Sequence, residues 1–311
     1  MRARLLFPLL IVLTVGLQLA ELAFGSVAIP LRELFDAENA SVIVDIRLIK
    51  MVVATLVGIS LSVSGLQMQT LFSNPLAGPY VLGLSSGASL GVALLLLGGV
   101  AGPMGIAGAA LCGSGVVMLL LLGVNARVRD GMSLLILGIM FSSAVGAIVQ
   151  ILQFLSRESA LKSYVVWTMG SLGEVTWPQL WILAGIILVG LLIAVFTVKD
   201  LNLMMFGPVL ARSMGLDLRR SRSLILLSTT LLAGGVTAFC GPIGFIGLAV
   251  PHIARGLFRS ADSRILLPAS AIIGADILLG CDLISRMFVL PINSITALVG
   301  IPVVIYVILR K

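Results

Sequence analysis

Long apolar runs separated by short polar breaks dominate the chain. Crossing ~30 Å of hydrocarbon at ~1.5 Å per residue takes ~20 apolar residues, and about ten such runs can be placed. Span 1 covers about Leu5 to Gly25, and a polar stretch with Arg32, Glu33, Asp36, Glu38 and Asp45 follows it. Span 2 runs from about Met51 to Phe72 and stops at Ser73-Asn74-Pro75; span 3 starts near Tyr80. Span 4 starts near Pro103 and ends before Arg127, Arg129 and Asp130. Span 5 covers about Met132 to Leu155, and a longer loop then holds Arg157, Glu158, Lys162, Tyr164, Trp167, Glu174 and Trp177. Span 6 is about Gln179 to Val198. Spans 7 to 10 fill Leu224 to Leu309, broken near Gly241-Pro242, between Arg255 and Arg264, and at Leu290-Pro291. In lipid a backbone finds its partners within its own helix, and these runs are too uniformly apolar for alternating barrel strands. The pattern therefore predicts an all-α integral membrane protein, residues 1–311 forming one transmembrane domain.

Lys199 to Arg222 is the longest polar, basic interruption, and it has helical spacing of its own. Val209, Leu210, Met214 and Leu218 can share one face, Gly207-Pro208 opens the segment, and Gly215 can make a turn inside it. Such an element between two spans is placed to be pushed from outside the bilayer. The plain alternative is a loop whose basic residues only fix topology.

Composition supports the membrane reading: 59% of residues are hydrophobic and 11% charged, against about a quarter charged in soluble domains. With ten spans both termini share a side. That side holds Arg2, Arg4, Arg127, Arg129, Lys199, Arg212, Arg219, Arg220, Arg222, Arg255, Arg259, Arg264, Arg310 and Lys311, 14 of the 20 Lys and Arg. The positive-inside rule then puts the termini and Lys199 to Arg222 of this multi-pass protein in the cytoplasm. The opposite side collects Arg32, Arg47, Lys50, Arg157, Lys162 and Arg286 and the loop with Trp167 and Trp177, which reads as an external mouth. Basic residues at span ends answer to lipid headgroups, so the net charge of +7 does not point to nucleic acid. Arg2 and Arg4 before an apolar run resemble a signal peptide, but no clear small-residue cleavage site follows and the run is expected to stay as span 1.

Thirty-four glycines suggest close helix packing. Gly83, Gly87 and Gly91 form one four-residue ladder, Ala54, Gly58 and Ser62 a second, and Gly138, Ser142 and Gly146 a third. Cys112, Cys240 and Cys281 lack CxxC spacing and read as packing residues, with no disulfide framework or metal site implied. Gly78-Pro79 and Gly241-Pro242 each precede an aliphatic span on opposite sides, a weak hint of an inverted repeat relating spans 2–5 to spans 7–10.

Catalytic chemistry has little to stand on. His252 is the only histidine, and HExxH, GxSxG and the nucleotide-binding GxxxxGK[ST] are absent, so an ATP-driven process would need a separate ATPase. Charged groups at membrane depth are functional candidates. Asp282 and Arg286 are four apart and can pair on one helix face. Asp276 either relays protons in an ion-gradient-driven secondary transporter or accepts hydrogen bonds from a neighbouring span, and the second is favoured. His252 reads as a structural hydrogen-bonding group; an intramembrane enzyme centred on it is a third reading. Arg47, Lys50 and Arg286 form an outer basic rim suited to an acidic partner or anionic substrate, with headgroup snorkelling as the alternative.

Several motifs carry a resemblance. Asp45-Ile46-Arg47-Leu48-Ile49-Lys50, Gly58, Ser64-Gly65-Leu66-Gln67, Asn74-Pro75-Leu76-Ala77-Gly78-Pro79 and Leu82-Gly83-Leu84-Ser85-Ser86-Gly87-Ala88 come first, with Trp167-Thr168-Met169-Gly170-Ser171-Leu172 between the halves. Gly241-Pro242-Ile243-Gly244-Phe245-Ile246-Gly247-Leu248, Pro251-His252-Ile253-Ala254-Arg255, Asp282-Leu283-Ile284-Ser285-Arg286 and Leu290-Pro291 follow. In order and spacing the chain resembles the FecCD/BtuC-type permeases of ABC importers along nearly its whole length.

The resemblance implies a type II importer fold of ten helices, working as a homodimer with two ATPase subunits and fed by a periplasmic or lipoprotein substrate-binding protein. ATP and Mg would sit on the ATPase, with no cofactor on this chain. The implied cargo is an iron-siderophore, haem or cobalamin, and an iron chelate is expected because such substrates dominate the family. Phe206 to Leu218 would form a pair of short coupling helices on the ATPase, through Phe206, Gly207, Leu210, Ala211, Arg212, Met214, Gly215 and Leu218, with Ala211 and Gly215 at the family's Ala and Gly positions. Arg47, Lys50 and Arg286 match basic positions that receive carboxylates of the binding protein. Asn74, Pro75, Gly241, Pro242, Pro251, His252 and Asp282 belong to the shared motifs. The translocation path is expected along Ser142, Ser143 and Gly146 of span 5, with a contribution from span 10. The chain departs from the family in Arg47-Leu48-Ile49-Lys50, where Arg-Leu-Pro-Arg is usual, and in Ser73-Asn74-Pro75-Leu76, where Arg-Asn-Pro-Leu is usual. Lys50 keeps the charge but loses bidentate geometry.

Overall fold

A computed structural model describes residues 2–24, 43–99, 105–125, 127 and 131–309. Arg32, Glu33, Asp36, Glu38, Arg129, Asp130, Arg310 and Lys311 lie outside the described residues, as do the side chains of Arg2, Arg4 and Asp45.

The regular elements among the described residues are all helical. α1 is Arg2–Ala23, and a π turn, Ile43–Leu48, leads into α2, Ile49–Leu71. Then come α3 (Leu84–Leu96), α4 (Gly105–Asn125), α5 (Gly131–Leu155), α6 (Glu158–Thr168) and α7 (Trp177–Phe196). Two short helices follow, α8 (Val198–Met204) and α9 (Pro208–Ser213). α10 (Leu218–Thr229) passes through a π turn, Thr230–Gly234, into α11 (Gly235–Cys240). α12 (Ile246–Phe258), α13 (Ser263–Phe288) and α14 (Ile292–Leu309) complete the chain. Among the described residues seven helical segments are long and apolar enough to cross a membrane, and the shorter apolar α3, α12 and α14 bring the spans to the expected ten.

Contacts fix the directions of the spans. Thr14 meets Asp276 and Glu21 meets Arg286, so α1 runs parallel to α13. Lys50 meets Asp282 and Gly58 meets Gly274, so α2 runs against it. Gly65 touches Gly247 and Pro75 touches His252, so α12 runs with α2. One end of the bundle therefore gathers the 74–83 turn, α8, α9, the start of α10 and the end of α12; the other gathers Arg47, Lys50, Arg286, α6 and Gly241.

α3 and α12 have 13 residues each, about 20 Å of helix, and irregular backbone makes up the rest of the crossing. Backbone groups at that depth need protein partners. The Asn74 carboxamide accepts from Leu76 N at 2.9 Å, His252 Nε2 donates to the Pro75 carbonyl at 2.7 Å, and Asn293 Oδ1 accepts from Gly244 N at 2.9 Å. Gly241, at φ +72°, turns the chain where a side chain would meet the Trp167 carbonyl. The units α2–turn–α3 and α10/α11–turn–α12 point in opposite directions, the arrangement an inverted repeat requires.

The glycine ladders divide by role. A Cβ on Gly58 would overlap the Gly274 backbone, and one on Gly65 would overlap the Gly247 backbone, so α2 crosses α13 and α12 at backbone contact. Gly87 and Gly91 bring α3 against Gly113 and Ala109 of α4 in the same way. In the third ladder Gly138 packs on Leu82 while Gly146 faces open space. Cys240 and Cys281 are buried as packing residues, but Cys112 is exposed on the surface of α4.

The segment after span 5 departs from the expected open loop. Residues 158–168 form α6, which folds back to bury Tyr164 and Trp167, with ring centroids 6.1 Å apart, against α3 and its neighbours. Burial of so much aromatic surface outweighs the interfacial preference that the sequence alone suggests for Trp167.

Candidate functional site

At the basic end, 199–222 folds as three pieces. α8 is tied to the spans on both sides: Ser221 Oγ donates to Asp200 Oδ2 at 2.5 Å, and Asn202 donates to Asp262 Oδ1 at 2.7 Å while accepting from Ser263 N at 2.7 Å. The amide of Arg264 and the carboxamide of Asn202 hold the Asp262 carboxyl below the usual range. Gly207, at φ +87° and ψ 162°, takes a conformation open only to glycine and releases the chain into α9 with Pro208 in its first turn. α9 ends in a Schellman turn: Gly215 has φ +86° and Leu216 N donates to the Ala211 carbonyl at 3.0 Å. Asp217 then caps α10, accepting from Arg219 N at 3.0 Å and Arg220 N at 3.1 Å.

Two expectations for this segment are corrected. Residues 206–218 hold one short helix and a capped turn rather than a pair of helices, because Gly215 and Asp217 stop α9 and start the next span. Leu218 does not share a face with Val209, Leu210 and Met214. It is buried with Ala211 in the core, whereas Phe206, Val209, Leu210 and Met214 are 60%, 80%, 53% and 54% exposed. Arg212 and Gly215 are exposed beside them. Together Phe206, Val209, Leu210 and Met214 form an exposed apolar patch at the basic end.

At the other end, the expected basic rim is engaged within the chain. Asp282, 1% exposed, receives Lys50 Nζ at 2.9 Å on one oxygen and Arg286 at 2.7 and 2.8 Å on the other. Arg286 also pairs with Glu21, which is fully buried in α1. Arg47 is buried, not exposed: it donates to the last carbonyls of α1, Leu22 at 2.6 Å and Ala23 at 3.1 Å, and so caps that helix. Lys50 and Arg286 keep 20% and 11% of their side-chain surface. Asp282 with Arg286 forms the anticipated i,i+4 pair. Glu21 was not singled out from sequence, although a carboxylate inside span 1 was the signal.

Between the two ends, polar residues of the signature motifs clamp helices. Gln67 donates to Ser228 Oγ at 3.0 Å, and its carbonyl oxygen accepts from Thr229 Oγ1 at 3.2 Å, joining α2 to α10. Gln69 donates to the Leu248 carbonyl at 3.0 Å and accepts from Arg255 Nη1 at 2.5 Å, joining α2 to α12. His252 and Pro75 tie the second-half motif to the first, so His252 has the structural role expected of it. Asp276 accepts from Thr14 Oγ1 at 2.5 Å, the neighbouring-span hydrogen bond that was favoured.

On α5, Ser143 is exposed and Gly146 borders open space, while Ser142 turns its hydroxyl onto the Gly138 carbonyl at 2.9 Å beside Gly83. Ile136, Met140, Ile148 and Ile151 are exposed along the same helix, which leaves a long unpartnered face.

The profile of the FecCD transport family matches residues 9–310. The chain is 38% identical over 314 residues to the vitamin B12 import system permease protein BtuC of Klebsiella pneumoniae subsp. pneumoniae, across 99% of this chain and 94% of that protein. It is 34% identical over 322 residues to the hemin transport system permease protein HmuU of Yersinia pestis, across 99% and 96%. A solved structure described as an inward-facing conformation of a transporter assigned to the metal-chelate ABC type superposes with a TM-score of 0.91 at 27% identity, covering 99% of both chains. With its ten spans, motif clamps and near-complete coverage, the chain belongs to the FecCD transport family of ABC importer permeases.

Proposed function

We propose that this chain is the membrane subunit of an ABC importer that moves a metal chelate, an iron-siderophore or haem or cobalamin, with an iron chelate favoured. It works as a homodimer in the inner membrane. Two ATPase subunits carrying ATP and Mg dock at the basic, cytoplasmic end, and a periplasmic or lipoprotein binding protein docks at the other. The carrying observation is the exposed apolar patch of Phe206, Val209, Leu210 and Met214, presented on a glycine-bounded helix whose neighbours are clamped to α10 and α13. ATP-driven movement of the ATPases would shift this helix, and Leu218 and Ala211, buried behind it, would pass the shift into the bundle.

At the outer end, docking falls to Lys50 and Arg286, the two cations with remaining exposure, and Arg47 holds α1 in place. The path follows the open face of α5 at Ser143 and Gly146, with Ser142 and span 10 behind it; small, weakly polar residues suit a bulky cargo that must also be released.

The test is ATP-dependent uptake into vesicles holding this chain, its ATPase and its binding protein, for native protein and for Val209→Glu with Leu210→Glu. These exposed positions accept a charge without disturbing the fold, unlike buried Ala211. Loss of uptake and of ATPase co-purification by a folded variant is expected. Uptake that survives without ATPase and collapses with the proton gradient would overturn the reading in favour of a secondary transporter using Asp276.

A further inference from the structure

A guanidinium has five N–H donors, and at the outer end Arg286 has most of them engaged within the chain. Nε donates to Asp282 Oδ2 at 2.8 Å, Nη2 lies 2.7 Å from the same oxygen and also pairs with the Glu21 carboxylate, and Nη1 donates to the Glu21 carbonyl at 3.3 Å. The two carboxylates are held differently. Asp282 stands one turn before Arg286 on α13 and also receives Lys50, so two cations anchor it. Glu21 comes from α1, is fully buried, and has Arg286 as its one ion-pair partner among the described residues; its Oε1 has no hydrogen-bond partner there. It is the only charged residue between Leu5 and Ala23. Holding α1 in place does not require it, because Thr14 bonds Asp276, Phe7 packs on Phe258 at 4.9 Å, and Arg47 caps the end of the helix.

We propose that Glu21 is an internal competitor for Arg286 that sets how long the binding protein's carboxylate stays on this end of the chain; this rests on the docking reading above. A carboxylate is gripped best by two parallel N–H groups, and Arg286 offers Nη1 and Nη2 together only when Nη2 leaves Glu21. Glu21 is then a buried charge without its cation, a costly state that favours return of the guanidinium. The competition acts at contact range. It therefore shortens residence and leaves the encounter rate, which follows the charge of the whole outer surface, nearly unchanged. Rapid release suits a carrier that must leave after each delivery.

Two measurements on the full-length protein in lipid nanodiscs test this. The first needs no partner: modification of Arg286 by the guanidinium reagent hydroxyphenylglyoxal, followed by peptide mass spectrometry. Glu21→Gln is expected to raise the rate at Arg286 about tenfold, whereas Glu158→Gln, the same charge change at an exposed site of α6, leaves it unaltered. The second is dissociation of the soluble substrate-binding protein encoded with this chain, followed by biolayer interferometry. Glu21→Gln is expected to slow release about tenfold, and the gain is expected to vanish when Arg286→Met is added. Glu21→Leu, suited to an apolar span, should behave alike and keeps the test valid if the glutamine variant fails to fold. Native-like modification of Arg286 in a folded Glu21 variant would overturn the proposal. So would native-like release by that variant while Lys50→Met and Arg286→Met release faster, a result that leaves the docking reading standing. Unchanged release in Lys50→Met and Arg286→Met would overturn the docking reading, and the proposal with it.

Discussion

Asp282→Asn removes one charge from the knot that joins α1, α2 and α13 while keeping its shape and a carbonyl acceptor, so no cavity opens. What disappears is the negative partner that Lys50 reaches at 2.9 Å and Arg286 at 2.7 and 2.8 Å. Two cations then face Glu21 alone, in a site where Glu21 and Asp282 are 0% and 1% exposed. Breaking a buried pair from one side costs about 3–5 kcal/mol, and the 20% exposure of Lys50 lets water offset part of it, so about 2–4 kcal/mol is expected. Lys50→Met leaves Asp282 with Arg286 and should cost less, about 1–2 kcal/mol. Combining the two removes one charge of each sign, and the cycle should show a coupling of about 1–2 kcal/mol. Reversible unfolding in mixed SDS micelles reads these differences through the tryptophan fluorescence of α6 and α7. Strict additivity, or a loss below about 0.5 kcal/mol for Asp282→Asn, would refute the view that this knot fixes the three helices.

Three further outcomes are expected. His252→Leu strips the Pro75 carbonyl of its donor and should destabilise the bundle by about 1–3 kcal/mol in the same assay, while His252→Asn, which keeps a donor, costs less. Asp262→Ala removes a helix cap and its link to Asn202, for a loss of about 1 kcal/mol at neutral pH. Because folding lowers the Asp262 pKa, that stabilisation is full above the unfolded carboxylate value near ~3.9 and fades as pH falls through the folded one, so the unfolding curves of the native protein and the Asp262→Ala variant should converge in acid. Cysteine at Ser143 or Gly146 should react with aqueous thiol reagents in at least one nucleotide state and faster than cysteine at Ser142; protection of both in every state would move the path off α5.

Hydropathy made the spans legible because it averages over about twenty residues, which is enough to override any one side chain. Asp282 with Arg286 was legible because helical spacing alone brings them together. Glu21 was not, because its partner lies 265 residues along the chain and nothing local marks the meeting. Arg47 looked like a rim charge, since its acceptors are the end of a different helix. In α9 the sequence shows which residues are apolar but not which way they face: a six-residue helix is too short for its stripe to reveal whether the core or a partner is meant to cover it. Gly65 and Gly247 are visible as motif glycines in both halves, yet only the crossing of α2 and α12 shows that each is there for the other.

Exposed apolar side chains are ordinary along membrane spans, where buried polar groups such as Gln67, Gln69 and Asp282 do the specifying. The exception is α9, where apolar side chains face out beside Arg212, Arg219 and Arg220 at the basic end. Behind it, Asn202 binds both Asp262 and the first amide of α13, and α13 runs 26 residues, about 39 Å, to Asp282 and Arg286 at the opposite end. One continuous helix therefore has its first turn clamped to the segment that supports the apolar patch and its last turns in the ion knot. Movement at either end must be taken up by α13 as a body or break contacts that bury charge. That constraint joins the two proposed docking surfaces mechanically, and it explains why the cap and the ion pairs sit at the ends of α13 rather than along its middle, where Gly58 and Gly274 already hold it against α2 by backbone contact.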